Sequence, residues 1–450
     1  MYGEETKPSA EMDSFRAALD ARPLSPFQIR LAIVIILLLL TDGYDTQAIG
    51  YAAPVLMDLW HVERVSFGPV FSAGLVGLML GAMIFTPLAD RIGPRRVLLA
   101  CTAVYATLTL VTAFAPSLPV LLFLRFLTGL ALGGAMPNGI ALISEYAPSR
   151  YRTLMVAAAV CGFSLGGALG GAVAAAGMAR FGWEAIFVIG GIVPLALLPF
   201  LIRWLPESLP QLLADKPPRT RLSHVIEQVA PGWIPPPAQS AIRGRHAAPS
   251  PVRMLLSGGY LVPTLLIWTA FFCNLLVLYF LANWLPSVIH DAGLSLEAAS
   301  ITTAIYQGGG TVGALVLAWI CDRTGRAQLV LACAFCGAAL CCVMIGMAGQ
   351  ASAPLMVSAA GAGFFVVGGQ IAANAFVGNY YPTAIRATGV GWALGLGRFG
   401  SIFGPLIGGA LIGLHVPTAH LFQIFAVPAL LAAVCVFLVR RKSDDLSAVR

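Results

Sequence analysis

The stretch LAIVIILLLLTDGYDTQAIG, residues 31–50, sets two carboxylates inside an apolar run that resumes after Thr46 and reaches Pro54. Asp42 and Asp45 are three residues apart, so a helix presents both on one face. A carboxylate near a bilayer centre costs about 2.5–3.5 kcal/mol even on the mildest scales. That face must therefore turn toward protein or a water-lined path, not toward lipid. The stretch predicts a membrane helix carrying titratable groups, as in a proton- or ion-coupled membrane transporter.

The remaining sequence is consistent with this. A chain of 450 residues that is 58% hydrophobic and 10% charged, with a mean hydropathy of +0.84, has too little charge to coat a soluble surface. Apolar runs of about 20 residues recur throughout. They predict spans at 28–56, 66–88, 96–114, 118–142, 153–178, 184–203, 259–286, 297–320, 327–349, 353–378, 386–412 and 420–440. The polar, Pro-rich stretch 205–256 divides them six and six. The expected organisation is an N-terminal tail (1–27), a six-helix bundle (28–204), a central loop (205–256), a second six-helix bundle (257–440) and a C-terminal tail (441–450). The tail before the first span carries Glu4, Glu5, Glu11 and Asp13 and has no small-residue cleavage site, so the first helix is expected to be retained.

The net charge of +7 invites a nucleic-acid reading, and its distribution argues against one. With both termini and the central loop in the cytoplasm, only Arg64 and Arg180 of the 27 basic residues lie outside, and only Arg125 and Arg398 lie within spans. The basic excess is a topology signal. The expected partners are a lipid bilayer and a small-molecule cargo, with no nucleic acid.

The halves repeat. Asp90-Arg91-Ile92-Gly93 recurs as Asp322-Arg323-Thr324-Gly325, and Pro54 recurs as Pro286, both at an offset of 232. Tyr146-Ala147-Pro148 is echoed by Tyr380-Tyr381-Pro382. Duplicated six-helix units are an established transporter architecture. At the two corners the glycine permits a tight turn and the aspartate can bind a neighbouring helix end, so each reads as a latch between helices.

Enzyme chemistry finds no support. There is no Gly-x-Ser-x-Gly, no phosphate loop and no zinc-type helical pair, and none of the six histidines lies mid-span. The nine cysteines lie in or beside apolar segments and read as small hydrophobes, including Cys333-x-x-Cys336. No catalytic residue, cofactor or metal is expected.

Depth adds a pairing. At ~1.5 Å per residue, Asp42 and Asp45 lie roughly 20–24 Å along the first span. Arg125, entering the fourth span from the other side, reaches a similar level, and a buried arginine needs a partner. Either aspartate could supply it. Arg398, near the middle of the eleventh span, has no acid at the repeat-equivalent positions; the counterpart of Asp42 is Asn274. A lone arginine facing a central cavity suits a bidentate carboxylate. Tyr44, Tyr306, Trp392 and Phe399 could line an aryl site, with Trp392 and Phe399 on one helix face at i, i+7. Asn274 and Gln307 could read hydroxyl groups. The glycine pairs Gly77/Gly81, Gly162/Gly166/Gly170, Gly309/Gly313 and Gly400/Gly404 predict close helix approach, and they resemble the contacts between bundles of duplicated transporters.

Twelve spans, a long central loop and the paired Asp-Arg-x-Gly corners resemble the major facilitator superfamily, although Thr86 and Pro94 replace a glycine and an arginine of its first-corner pattern. Within it, Asp42-Gly43-Tyr44-Asp45-Thr46, Arg125-x-x-x-Gly129, Ser144-Glu145-Tyr146-Ala147-Pro148 and Tyr381-Pro382-Thr383-Ala384-Ile385-Arg386 resemble the aromatic acid:proton symporter family. The resemblance implies an all-α polytopic membrane protein, twelve transmembrane helices in two pseudo-symmetric six-helix bundles. It implies a bacterial inner-membrane transporter, functional as a monomer, that imports a benzoate- or hydroxybenzoate-class carboxylate with protons. An organic-anion exchanger or exporter on the same fold is the alternative. The implied roles are proton coupling by Asp42, Asp45, Arg125 and Glu145. Substrate binding falls to Arg398, Tyr44, Asn274, Tyr306, Gln307, Trp392 and Phe399. Gating falls to Asp90, Arg91, Gly93, Asp322, Arg323, Gly325, Arg326 and Arg386.

Overall fold

The computed structural model describes residues 15, 17–214, 226–228, 254–256, 258–349 and 351–439. Most of the expected central loop and the tail 441–450 lie outside the described residues. Twelve helices are long and apolar enough to cross a membrane. They are α1 (Pro26–Trp60), α2 (Phe67–Ile92), α3 (Pro94–Thr112), α4 (Leu118–Tyr146), α5 (Ser149–Phe181) and α6 (Glu184–Trp204), then α7 (Leu261–Asp291), α8 (Leu296–Thr324), α9 (Ala327–Ala348), α10 (Ser352–Tyr380), α11 (Thr383–Gly413) and α12 (Thr418–Leu438). No strand occurs among the described residues.

Several helices outrun the apolar runs that predict them, because capping sets their ends. Ser25 Oγ accepts the Gln28 amide at 3.3 Å while Gln28 Oε1 accepts the Ser25 amide at 2.9 Å, a reciprocal cap that starts α1 two residues early. Ser295 caps α8 through the Ala298 amide at 3.1 Å.

Glycine decides the closest packing, and here the expectation from the glycine pairs is corrected. Methyl groups added at Gly77 and Gly81 would lie 2.2 and 1.9 Å from carbonyls of α4. Gly162 and Gly166 meet carbonyls of α1, Gly309 and Gly313 those of α10, and Gly400 and Gly404 those of α7. Every pair therefore works inside its own half, not between halves. Four-residue spacing marks a face where backbones can touch, but it does not say which neighbour the face meets. The halves instead meet along α1 with α7, α2 with α11 and α5 with α8. Gly50 faces Ala282 and Asn283, Gly68 faces Pro405, and Gly171 faces Ser300 and Ala304.

The fourth helix of each half is distorted at matching positions. α4 breaks at Gly133–Gly134, where added methyls would strike Leu78 O and Cys101 Sγ. α10 carries a π-helical turn at Gly363–Val367, and Gly363 packs against the Tyr306 carbonyl.

The corners differ between halves. Gly93 has φ +97°, and a Cβ there would lie 2.5 Å from a Glu207 carboxylate oxygen. Glu207 Oε1 accepts the Arg95 amide (3.2 Å), and Arg95 Nη2 donates to Ile202 O (2.6 Å). Gln328 donates to Val439 O in the corresponding way in the second half. Gly325 also has a left-handed φ, +63°, but open space surrounds it, and Arg323 stacks over Trp319 at 5.2 Å. Asp90, Arg91, Asp322 and Arg323 are exposed. The chain before α1 folds beneath the first half: Phe15 and Leu19 are buried, and Asp20 accepts the Ser149 amide (2.6 Å) and hydroxyl (2.7 Å). Those two bonds hold the Asp20 carboxyl below its ordinary value of 3.8.

Candidate proton and substrate site

The two aspartates that open the sequence have unlike surroundings. Asp45 is held from two other helices. Thr109 of α3 donates its hydroxyl to Oδ1 at 2.5 Å, and Arg125 of α4 donates Nη1 to Oδ2 at 3.3 Å. Arg125 also donates Nη2 to Thr112 Oγ1 at 3.2 Å, and its guanidinium carbon lies 5.1 Å from the Phe187 ring centre. Both members of the pair are buried. Thr109 and Thr112, three apart on one face of α3, supply this support. The spacing is legible in the sequence, but hydroxyls are common in apolar helices, so it does not single these two out.

Asp42, one helical turn nearer the termini, has a single weak contact, Thr46 Oγ1 at 3.5 Å. It is equally buried and lies within electrostatic reach of Arg398 on α11, in the other half. Arg398 donates Nη1 to Tyr279 Oη at 3.5 Å and forms no ion pair among the described residues. Among the described residues an acid and a base of opposite halves, Asp42 and Arg398, thus each lack an ion pair and hold only one long hydrogen bond.

Beside the Asp45–Arg125 pair lies a cavity of about 30 Å³, room for about one water molecule. Its polar lining is Asp45, Thr46 and Arg125 from the first half and Asn283 from the second.

The other expected site residues are dispersed. Tyr44 donates its hydroxyl to Ile186 O at 3.0 Å, with its ring against Gly170 and Gly190, so it is wedged among α1, α5 and α6 rather than beside Arg398. Tyr306 is fully buried and donates to Leu278 O at 3.3 Å in the core of the second half. Trp392 and Phe399 share a face, about two-fifths exposed, but successive residues turn about 100°. That face is therefore turned away from Arg398, and Trp392 stacks on Trp268 at 5.6 Å. Glu145 stands apart from the acids, at the end of α4, where its carboxylate accepts the Leu209 amide at 3.2 Å. Arg386 donates Nε to Tyr381 O at 3.3 Å, and in the first half Arg152 donates Nη2 to Ala147 O at 3.4 Å. Arg326 donates its amide to Thr324 Oγ1 at 3.3 Å.

Asn274 does join a polar group. Its Nδ2 donates to Gln370 Oε1 (2.9 Å) and to Val366 O (3.2 Å) in the π-helical turn, and Gln370 Nε2 continues to Asn374 Oδ1 (3.1 Å). Gln307 meets the first half: a methyl added at Gly167 would touch the side chains of Gln307 and Gln47 together, and Ser164 donates to Gln307 O at 2.8 Å. Gln370 and Gln47 carry no signal in a single sequence that sets them above other polar residues, whereas Glu207 lies in Pro206-Glu207-Ser208, a stretch that resembles the superfamily pattern after the sixth span.

Known proteins resemble the chain along nearly its whole length. The sequence profile of the Major Facilitator Superfamily matches residues 35–348 and 267–448. The chain is similar to the gallate transporter of Pseudomonas putida, 41% identical over 418 residues, with 93% of each chain covered. It is similar to the 4-hydroxybenzoate transporter PcaK of Pseudomonas aeruginosa, 38% identical over 440 residues, with 96% of each covered. In fold it is similar to the inward-open xylose transporter XylE from E. coli, with a TM-score of 0.71, 17% identity, and 93% of this chain and 98% of that one covered.

Proposed function

The chain belongs to the Major Facilitator Superfamily, in its aromatic acid:proton symporter family, and from that premise we propose that it imports a monocyclic aromatic carboxylate together with protons. The observation that carries this reading is the unmatched pair across the boundary: Arg398 without a carboxylate, and buried Asp42 without an ion-pair partner. A guanidinium in a low-dielectric setting is a bidentate receptor for a carboxylate. The gallate and 4-hydroxybenzoate transporters that the chain resembles carry cargo of that class.

Asp42 is the proton carrier in this account. Both oxygens of Asp45 are committed to Thr109 and Arg125, whereas Asp42 can gain a proton without breaking a strong bond. Neutralising Asp42 leaves Arg398 free for the substrate anion, and releasing that proton restores competition between two anions for one cation. Each charge moved down the membrane potential contributes about 2.3 kcal/mol per 100 mV, so more than one proton per monoanion adds electrical drive. The ends of the bundle that carry the termini face the cytoplasm of a bacterium, in its inner membrane, and one chain is the working unit.

The test is uptake by purified protein in liposomes, using labelled gallate, 4-hydroxybenzoate and benzoate with an imposed pH step. The reading predicts accumulation of at least one of them with the acidic side as source. Failure to move all three, in vesicles where the protein is folded, would overturn it.

A further inference from the structure

The second half carries a row of three carboxamides whose direction is fixed. Val366 O, in the π-helical turn of α10, can only accept, so the Asn274 nitrogen faces it, although this leaves Asn274 Oδ1 buried without a partner. The same nitrogen donates to Gln370 Oε1, which turns Gln370 Nε2 toward Asn374 Oδ1. The row therefore ends on Asn374 Nδ2, a donor with no protein partner among the described residues. Accessibility rises along it: Asn274 is 1% exposed, Gln370 7%, and Asn374 is partly exposed. Gln370 lies about 15 Å inside the Tyr380 end of α10, a depth at which a carboxamide faces protein or a water-lined path rather than lipid. The fold does not need the row. At the offset of 234 that aligns Pro148 with Pro382, Gln370 and Asn374 correspond to the apolar Met136 and Ile140. A buried amide oxygen without a partner is costly, and a cost that the first half avoids points to a ligand.

We propose that Gln370 and Asn374 form a binding subsite for a ring hydroxyl of the substrate, with Asn274 as the positioning residue that sets their direction. A hydroxyl complements the end of the row. Its oxygen accepts from Asn374 Nδ2, and its hydrogen goes to the second lone pair of a carboxamide oxygen. A carboxylate only accepts and satisfies just the first of these, so the anion goes to Arg398. α7 ties the two subsites together: it carries Asn274 and, farther along, Tyr279, whose hydroxyl accepts Arg398 Nη1, with a rise of about 7.5 Å between them. The chain is then selective for hydroxylated aromatic acids over benzoate, because a site built to bond a hydroxyl is left with unpaired polar groups when the analogue lacks it.

The proposal rests on the symport reading above and narrows its cargo. The experiment compares benzoate, 4-hydroxybenzoate and gallate in liposomes, by KM for each acid that is moved and by inhibition constant for one that binds without being moved. The wild type is expected to prefer at least one hydroxylated acid over benzoate by about tenfold. Asn374→Leu and Gln370→Met are each expected to raise the constant for that acid about tenfold while benzoate stays within about twofold, which also shows that the variants are folded. Asn274→Leu is expected to shift the same ratio in the same direction. Where a variant moves nothing, melting shifts of the purified protein with each acid give the same comparison. Equal changes for all three acids mark a merely structural role and overturn the proposal, as do unchanged constants or a wild type indifferent to the hydroxyl. Those outcomes leave the symport reading standing; a wild type that moves and binds none of the three acids overturns both.

Discussion

Asp42 and Asp45 carry the same functional group and differ in what removal does. Asp45→Asn leaves Arg125 buried without its counter-charge, a loss of about 3–5 kcal/mol. That variant should melt several degrees lower in detergent and fail in exchange and driven uptake alike. Asp42→Asn breaks only the weak Thr46 contact. It should fold normally, retain counterflow exchange and lose pH-driven accumulation. If the two variants behaved alike in melting, the division of labour between them would be wrong. Arg398→Lys replaces a planar fork by a point charge, so the KM for substrate should rise about tenfold or more, with a smaller change in kcat. A KM within twofold of wild type would remove Arg398 from the site. At this scale the sequence reached far: helical rise put Arg125 at the level of the acids. It could not choose between the acids, because the choice depends on Thr109 and Thr112, which reach Asp45 and Arg125 from a third helix. The place of Tyr44 in the motif suggests the cargo, and its hydroxyl bonds α6, a partner that spacing within α1 does not disclose.

The motif glycine works at the scale of elements. A methyl at Gly43 would lie 1.8 Å from the Phe163 carbonyl, so the glycine between the two acids is what lets α1 lie on α5. Gly43→Ala should push these helices apart at a cost of about 1–3 kcal/mol, seen as a lower melting temperature with the charged side chains all intact; an unchanged melt would mean that the backbones can separate freely there. Span number, order and approximate ends were legible because apolar length and charge spacing are local properties. The partner of each glycine face was not, since it depends on how six helices close around one another. The first corner shows the same limit. Gly93 could be read as a turn, but the carboxylate packed against it, Glu207, comes from beyond α6.

At the scale of the whole molecule, the inter-half bonds found among the described residues run from mid-membrane to the end opposite the termini. Ser164 meets Gln307, Ser72 donates to Ile402 O at 2.8 Å, Phe71 packs edge-on against Trp284 at 5.1 Å, and Arg64 pairs with Asp291 at 2.5 Å. The molecule is closed at that end. Arg64–Asp291 is partly exposed, so its direct contribution is about 1 kcal/mol or less, but it joins the halves at the rim. Arg64→Ala should raise labelling of a cysteine placed at Ser72 several-fold, and the charge swap Arg64→Asp with Asp291→Arg should restore protection. Equal labelling in all three would mean the pair does not hold that end shut. The repeat disclosed two halves from sequence. Which surfaces they share was not legible, because it depends on how two bundles dock and not on the apolar pattern of any one helix.

The most direct measurement of the account is the reversal point of substrate flux in liposomes, set by clamping the substrate gradient and varying the pH gradient at fixed membrane potential. Proton symport through Asp42 predicts that the substrate ratio at zero net flux rises with the inward proton gradient, by about tenfold per pH unit for each proton carried, and that Asp42→Asn abolishes this dependence. A zero-flux point that ignores the pH gradient in the wild-type protein would contradict it.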